Sequence, residues 1–524
     1  VALVFGSPVL FSWQRQRVFV VAWLFSFLFF SFSFGQSFNL LYQKNGAAAG
    51  NYFGISVASA GDVSGDGKAD FIVGAPYATP DTLGNAGAAY LYSGANGMLL
   101  FQKNGETVSA QMGSSVASAG DVNADGKADF IIGAMYASPD SIRDAGSAYV
   151  YSGADGSLLY QKNGSAAGDN LGVSVASAGD ANGDGRDDFI IGAYRADPGG
   201  LLNAGSAYLY SGADGSLLYQ KDGIAAGDQL GICVASAGDV NGDGQADFII
   251  GAVTADPGGR ADAGSAYLYS GADGSLLYQK DGTAAGDRLG RSVDLAGDVN
   301  GDGRGDFIVG AFRADPGGRI NAGSAYVYSG FDGSLLYQKD GDSAGDQLGF
   351  PVASAGDVDG DGKADFILGI PNADPNGNPE AGSIYLYSGA DGSLLYQKDG
   401  DSSGDFLGVS AASAGDVNGD GKADIIMGAY FADPNGLEDA GKAYVYGLTD
   451  FSCVSVKGDM NGVNGFTPAD VVLMLNCVFS GNGNGTAGGD CNLCYADMNC
   501  SNGLSPADVV IELNLVFRGD PPPC

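Results

Sequence analysis

No histidine occurs in the 524-residue sequence. That absence excludes Ser-His-Asp and Cys-His catalysis, imidazole general bases and histidine-bound zinc, and leaves an enzyme only carboxylate, Lys or Tyr chemistry. Positive charge is scarce: 25 Lys and Arg stand against 61 Asp and Glu, a formal charge of −36. A nucleic-acid partner needs a basic face, so the composition argues against one. Cysteine is nearly missing from the first 450 residues, where Cys233 stands alone at a place that other copies of the repeat give to Ser174 or Ser292. It reads as a small packed residue. There is a single long apolar run, Val18 to Phe34, preceded by Arg15 and Arg17 and followed by Gly35 and Gln36. Residues 1–36 therefore read as an export signal, after whose removal no stable membrane span is expected. An uncleaved anchor is the alternative, the run being long for a signal core and short for a spanning helix.

What is abundant is glycine, 89 residues, and much of it marks a repeat. A nine-residue stretch recurs seven times at intervals of 59 residues; its last copy reads Asp416-Val-Asn418-Gly-Asp420-Gly-Lys-Ala-Asp424. Oxygen-bearing side chains stand at the first, third, fifth and ninth positions. They are Asp62, Ser64, Asp66 and Asp70 in the first copy, and Asp121, Asn123, Asp125 and Asp129 in the second. Asp180, Asn182, Asp184 and Asp188 follow, then Asp239, Asn241, Asp243 and Asp247, then Asp298, Asn300, Asp302 and Asp306. The sixth copy has Asp357, Asp359, Asp361 and Asp365, and the seventh Asp416, Asn418, Asp420 and Asp424. A glycine after the fifth position permits a sharp bend, and a backbone carbonyl at the seventh adds another oxygen. Hard oxygen donors in this number suit Ca²⁺ rather than zinc or copper. Up to seven ions are expected, bracing loops rather than performing chemistry, because a fully chelated ion leaves no open position for a substrate.

Between these loops each unit repeats one grammar. A strand of small residues (SVASAG) enters the loop, a second (ADFIIGA) leaves it, and a longer loop such as residues 194–203 leads to a third (GSAYLYS). The third turns through Ala213-Asp214-Gly215 into a fourth (SLLYQK). Asp-Gly between apolar runs predicts a tight hairpin with both central residues at positive φ. Four short antiparallel strands per unit predict an all-β fold, a seven-bladed β-propeller over residues 37–451. Its ends are complementary. Phe38 to Lys44 is a fourth strand with no blade before it, and the last unit stops after its third strand, at Ala443 to Tyr446. Pairing them closes the ring and leaves no open sheet edge.

Phe53-Gly54 before the first loop and Gly74-Ala75-Pro76 after it are the paired signatures of the FG-GAP repeat, drifting to Leu171-Gly172 with Gly192-Ala193 and to Gly369-Ile-Pro371 in later copies. The region resembles the β-propeller of integrin α subunits. The resemblance implies calcium loops on one face and a ligand-binding face opposite, formed by the loops between strands two and three and between blades. By position that face carries Tyr77, Tyr136, Tyr194, Arg195, Phe312, Arg313, Tyr430 and Phe431. These side chains either pack neighbouring blades or bind a ligand.

Residues 452–524 hold a different duplication. Asp459-Met-Asn461 leads to Thr467-Pro-Ala-Asp470, and Asp497-Met-Asn499-Cys-Ser501 leads to Ser505-Pro-Ala-Asp508, each followed by an apolar helix-like run. Thr467 and Ser505 stand as N-caps with Pro next. Two such loop-helix units resemble a dockerin, which implies one or two further Ca²⁺ sites and a cohesin-like partner. Val463 replaces the expected fifth-position Asp, so Asp470 can serve as a cap alone. Six cysteines in this segment predict disulfides. The whole reads as an exported calcium-binding propeller that holds an extracellular protein or glycan, without catalytic residues. A secreted carbohydrate-active enzyme and a purely structural matrix protein are the alternatives.

Overall fold

The computed structural model describes residues 37–449. They form seven four-stranded antiparallel sheets. In the third blade the strands are Val175–Gly179, Asp188–Ala193, Ser206–Tyr210 and Leu217–Asp222, paired in sequence order. The first strands of adjacent blades lie against each other all round the ring, Ser56–Gly61 meeting Ser410–Gly415 across the closure. Ala and Ser suit that crowded centre because larger side chains would collide. The second strands are buried along their whole length, each being covered by a blade on either side. The fourth alternates between exposed and half-buried residues, as an outermost strand should.

The core is divided among the contacts between blades. One cluster joins Ile190 and Leu209 of blade three to Val234, Phe248 and Ile250 of blade four. Second-strand phenylalanines such as Phe189 are fully buried, each contributing about 1.5–3 kcal/mol. Phe189 is stacked between Tyr160 of the blade before, at 5.8 Å, and Tyr210 of its own, at 5.5 Å. The fourth strand also latches onto the next blade: the Tyr160 hydroxyl donates to Gly212 O at 2.8 Å, and Lys162 Nζ to Gly215 O at 2.6 Å. Near the axis, the hydroxyls of Ser56, Ser115, Ser174 and Ser292 accept the N–H of Val116, Val175, Val234 and Val352 of the following blade.

The closure follows the complementary ends. Ser37–Asn45 pairs with Lys442–Thr449 as the fourth strand of blade seven. Tyr42 and Lys44 latch onto Gly94 O and Gly97 O at 2.8 and 2.6 Å, as their counterparts do elsewhere. Blade six differs, because blade seven has no hairpin between its last two strands. Lys398 turns instead to Asp399 O and to the Asp401 carboxylate, at 2.6 and 2.8 Å. Tyr396 stacks on Phe38 at 4.2 Å.

One expectation needs correction. The Asp-Gly hairpins do not place both residues at positive φ. Only Gly215 does so (φ 70°), while Gly215 N donates to Ser211 O and the Asp214 carboxylate accepts the N–H of Ser216 at 2.8 Å. A four-residue loop with one left-handed glycine therefore replaces the two-residue turn. The long loops also carry one tight turn per blade starting at proline, as at Pro198–Gly200, where Gly199 stands at positive φ (61°). The paired glycines of the signature have a physical reason. Gly54 N donates to Gly74 O at 3.0 Å, and a Cβ on Gly74 would collide with Gly113 O of the next blade. Among the described residues no helix is long and apolar enough to cross a membrane. The proposed export signal, the dockerin-like loops with Asp459, Asn461, Asp470, Asp497, Asn499, Ser501 and Asp508, and the six clustered cysteines lie outside the described residues.

Candidate metal loops and ligand face

Consecutive antiparallel strands place their connections at alternate ends. The aspartate loops and the hairpins therefore share one face; the long loops and the inter-blade segments share the other. In the first aspartate loop Asp62 organises the bend. Its Oδ1 accepts the N–H of Gly65 and Asp66 at 2.7 and 3.0 Å, and its Oδ2 that of Gly67 at 2.8 Å. The ninth residue is fully buried in every copy. Asp70 accepts the N–H of Ser64 and of Gly94, both at 2.8 Å, tying the loop to the adjacent hairpin. Burial pushes these carboxyls up, to about 6 for Asp129, Asp188, Asp247 and Asp306 and to about 7 for Asp365 and Asp424. Neighbouring aspartates add to the shift.

The donor set fits a hard divalent cation. Asn123 Oδ1, at the third position of its loop, is a buried acceptor without a hydrogen-bond partner. In loop six the carboxylates of Asp357, Asp359 and Asp361 offer oxygens within 4.8 Å of one another. A cation there would take the lone pairs that the backbone leaves free and relieve the repulsion. The loops are also linked in series. Ala69 N donates to Asp416 O of the preceding loop at 2.9 Å, and Lys68 Nζ to Asn418 O at 2.6 Å. Ala246 N donates likewise to Asp180 O, and Ala364 N to Asp298 O.

On the opposite face the structure divides the eight residues named from the sequence. Tyr77, Tyr430 and Phe431 join a cluster at the junction of blades seven and one. Tyr52 meets their rings edge-on, with centroids at 4.8, 5.8 and 5.1 Å, and Phe406 lies 5.4 Å from Phe431. Tyr194, Arg195, Phe312 and Arg313 stand in another sector, where Arg195 covers the Tyr194 ring at 5.1 Å and Arg313 the Phe312 ring at 5.4 Å. Tyr136 is half-buried beside Tyr194. Between the two sectors, at blade six, lies an acidic hollow of about 610 Å³ bordered by Asp342, Asp346, Asp374, Glu380 and Asp399.

Three residues escaped the sequence reading. Tyr52 and Phe406 immediately precede the glycine signatures, and Arg291 follows the signature of unit five. At the place of Arg291 the other copies have Ile55, Ser114, Val173, Ile232, Phe350 and Val409. Aligning the copies against one another would have exposed this single charge.

The sequence pattern of the FG-GAP repeat matches residues 53–92, 112–151, 171–210, 234–269, 351–387 and 408–446. The stretch of unit five that carries Arg291 is not among them. The chain is 29% identical over 271 residues to integrin alpha-5 of Xenopus laevis, covering 48% of this chain and 25% of that protein. It is 30% identical over 220 residues to integrin alpha-V of Gallus gallus, with 39% and 20% covered. With integrin alpha-4 of Xenopus laevis the identity is 32% over 267 residues, with 47% and 24% covered. The chain thus spans a quarter or less of the length of these relatives. Repeat pattern, relatives and strand order agree on an integrin α-like FG-GAP β-propeller with seven four-stranded blades.

Proposed function

We propose that the chain is an exported, calcium-dependent adhesion module that holds an extracellular ligand on the face opposite its aspartate loops. The likeness to integrin α subunits suggests ligand binding of the adhesion type rather than catalysis. The observation that carries the metal assignment is the donor set of the loops, with the orphaned Asn123 Oδ1 and the converging carboxylates of Asp357, Asp359 and Asp361. The residues that would hold Ca²⁺ are those at positions one, three, five and nine of each loop. The ion would supply positive charge and stiffness, and the chain's own side chains would contact the ligand. Because each loop is bonded to its predecessor, ordering one stiffens the next. The C-terminal duplication supports attachment through a dockerin-like module to a cohesin-like partner.

Extracellular Ca²⁺ modules bind at about 10⁻⁴–10⁻³ M, so a chelator should strip the loops easily. The test is an array of extracellular proteins and glycans probed with the full chain in millimolar Ca²⁺ and in chelator, with melting recorded in both. Ligand capture only with Ca²⁺, and a higher melting temperature with it, are expected. Identical melting in both buffers would overturn the metal reading, and a chain that captures no protein or glycan would overturn the adhesion reading.

A further inference from the structure

Arg291 stands in a bulge of the innermost strand of blade five, between the paired residues Leu289 and Ser292, at the end nearest the long loops. Bulges of this kind redirect a side chain. Its guanidinium lies 4.5 Å from the centre of the Phe350 ring, at the start of blade six, and within electrostatic reach of Cys233 in blade four and Tyr194 in blade three. A side chain on the innermost strand that stacks on blade six and lies within electrostatic reach of blades three and four stands near the ring axis, at the long-loop end of the central channel. It is half-buried, and burial lowers its pKa. Yet the ion pairs among the described residues involve Arg143, Arg288 and Lys398, and none involves Arg291. The nearest acid along its strand, Asp294, is occupied by the N–H groups of Leu295 and Ser354, at 2.9 and 3.2 Å.

The rings continue the arrangement outward. Phe350 lies 5.8 Å from Phe312, whose face carries Arg313, and Tyr194 carries Arg195. Arg195 and Arg313 are exposed. Three guanidiniums that have no carboxylate partner among the described residues thus stand in one sector of a protein with a formal charge of −36. A half-buried guanidinium with unused donors is costly unless a ligand or water completes it. Its planar fork matches a carboxylate. Stacking on a sugar is disfavoured, because the ring faces are already covered by guanidiniums.

We propose that Arg291 is the centre of a carboxylate-binding site at the channel mouth, and that it receives an acidic side chain from a protein ligand, with Arg195 and Arg313 pairing flanking acids. The proposal rests on the ligand-face reading above and adds to it the class of ligand and the residue at its centre.

The test is fluorescence anisotropy with the full chain, millimolar Ca²⁺ and a labelled peptide of aspartates alternating with glycines. The same peptide with asparagines is the control, and an oligogalacturonate is the competitor. We expect the aspartate peptide alone to bind. Arg291→Gln should weaken it at least tenfold and Arg291→Lys less. Arg143→Ala, whose arginine already pairs with Asp144, should leave it unchanged. If Arg291→Gln fails to fold, the Arg195→Ala/Arg313→Ala double variant should show the same tenfold loss. Binding kept in Arg291→Gln but lost in the double variant overturns the central role of Arg291 while leaving the ligand face in place. Binding untouched by any of the three changes overturns both. Equal binding of the asparagine peptide removes the carboxylate assignment, and tighter binding of oligogalacturonate than of the peptide removes the protein ligand in favour of an acidic polysaccharide.

Discussion

On the face opposite the aspartate loops, aromatic rings at equivalent repeat positions meet two different fates. At the junction of blades seven and one, Tyr52, Tyr77, Phe406, Tyr430 and Phe431 pack on one another, with the closest pair at 4.1 Å. At blades three to six, Tyr194, Phe312 and Phe350 each lie under a guanidinium. Tyr430-Phe431, Tyr194-Arg195 and Phe312-Arg313 occupy the same place in their blades and differ mainly in the second residue. The junction adds the rest. Tyr52 and Phe406 sit at positive φ, both 53°, where the other junctions have Gln111, Asn170, Gln229, Arg288 and Gln347. That backbone is unfavourable for a bulky residue, and ring contacts worth about 0.5–1.5 kcal/mol each offset it. One sector satisfies itself and serves the ring closure. The other leaves charge over, and is the sector that we propose binds the ligand.

The largest effect should come from removing the strand on which the self-packed sector depends. Without residues 37–45, blade seven loses its outer strand together with the Tyr42 and Lys44 latches onto blade one. An open edge favours association between molecules, so size-exclusion chromatography should show aggregates or no soluble protein. A monomer melting at the wild-type temperature would mean that the seam is not what holds the ring shut.

An intermediate effect separates the sectors directly. Phe431→Ala should lose roughly 1–3 kcal/mol of stability in denaturant melts, since the ring is half-buried, and keep its affinity for the aspartate peptide within about twofold. Arg313→Ala, at an exposed side chain, should do the reverse. If Phe431→Ala loses binding without losing stability, the division drawn here is wrong.

The smallest effect concerns Asp294, which unit five alone places where other units have alanine, such as Ala176. Burial pushes its carboxyl up to about 7, against roughly 3.9 in an unfolded chain. The folded state then holds the proton more tightly, so its contribution is complete below about pH 4 and is lost as the pH rises through about 7. Because the side chain is only partly buried, solvent screening reduces the effect, and the wild type should lose about 1 kcal/mol more than Asp294→Ala between pH 5 and 8. Parallel pH profiles for the two proteins would mean that Asp294 is not held protonated.

The strand order and the closure are legible in the sequence because both follow from copying. A fixed 59-residue interval and complementary ends admit one arrangement. The aspartate loops are legible for the same reason, their oxygens being spaced along the chain itself. The hairpin geometry was missed because Asp-Gly serves a two-residue and a four-residue loop alike, and hydrogen bonds from flanking serines select the longer one. The two sectors were missed because neighbours across blades lie about 59 residues apart in sequence. Phe431 and Arg195 look alike as members of one rim until Tyr52 is seen against one and no acid against the other. Arg291 was hidden by the regularity around it.

The central claim is that the two faces have separate tasks, one holding ions and the other a ligand. Hydrogen–deuterium exchange of the Ca²⁺-loaded chain, with and without saturating aspartate peptide, tests it most directly. The account predicts added protection in residues 191–196, 289–292 and 311–313, with no change in the loops beginning at Asp62, Asp121 and their equivalents. Protection appearing in those aspartate loops, with the three segments unchanged, would contradict it.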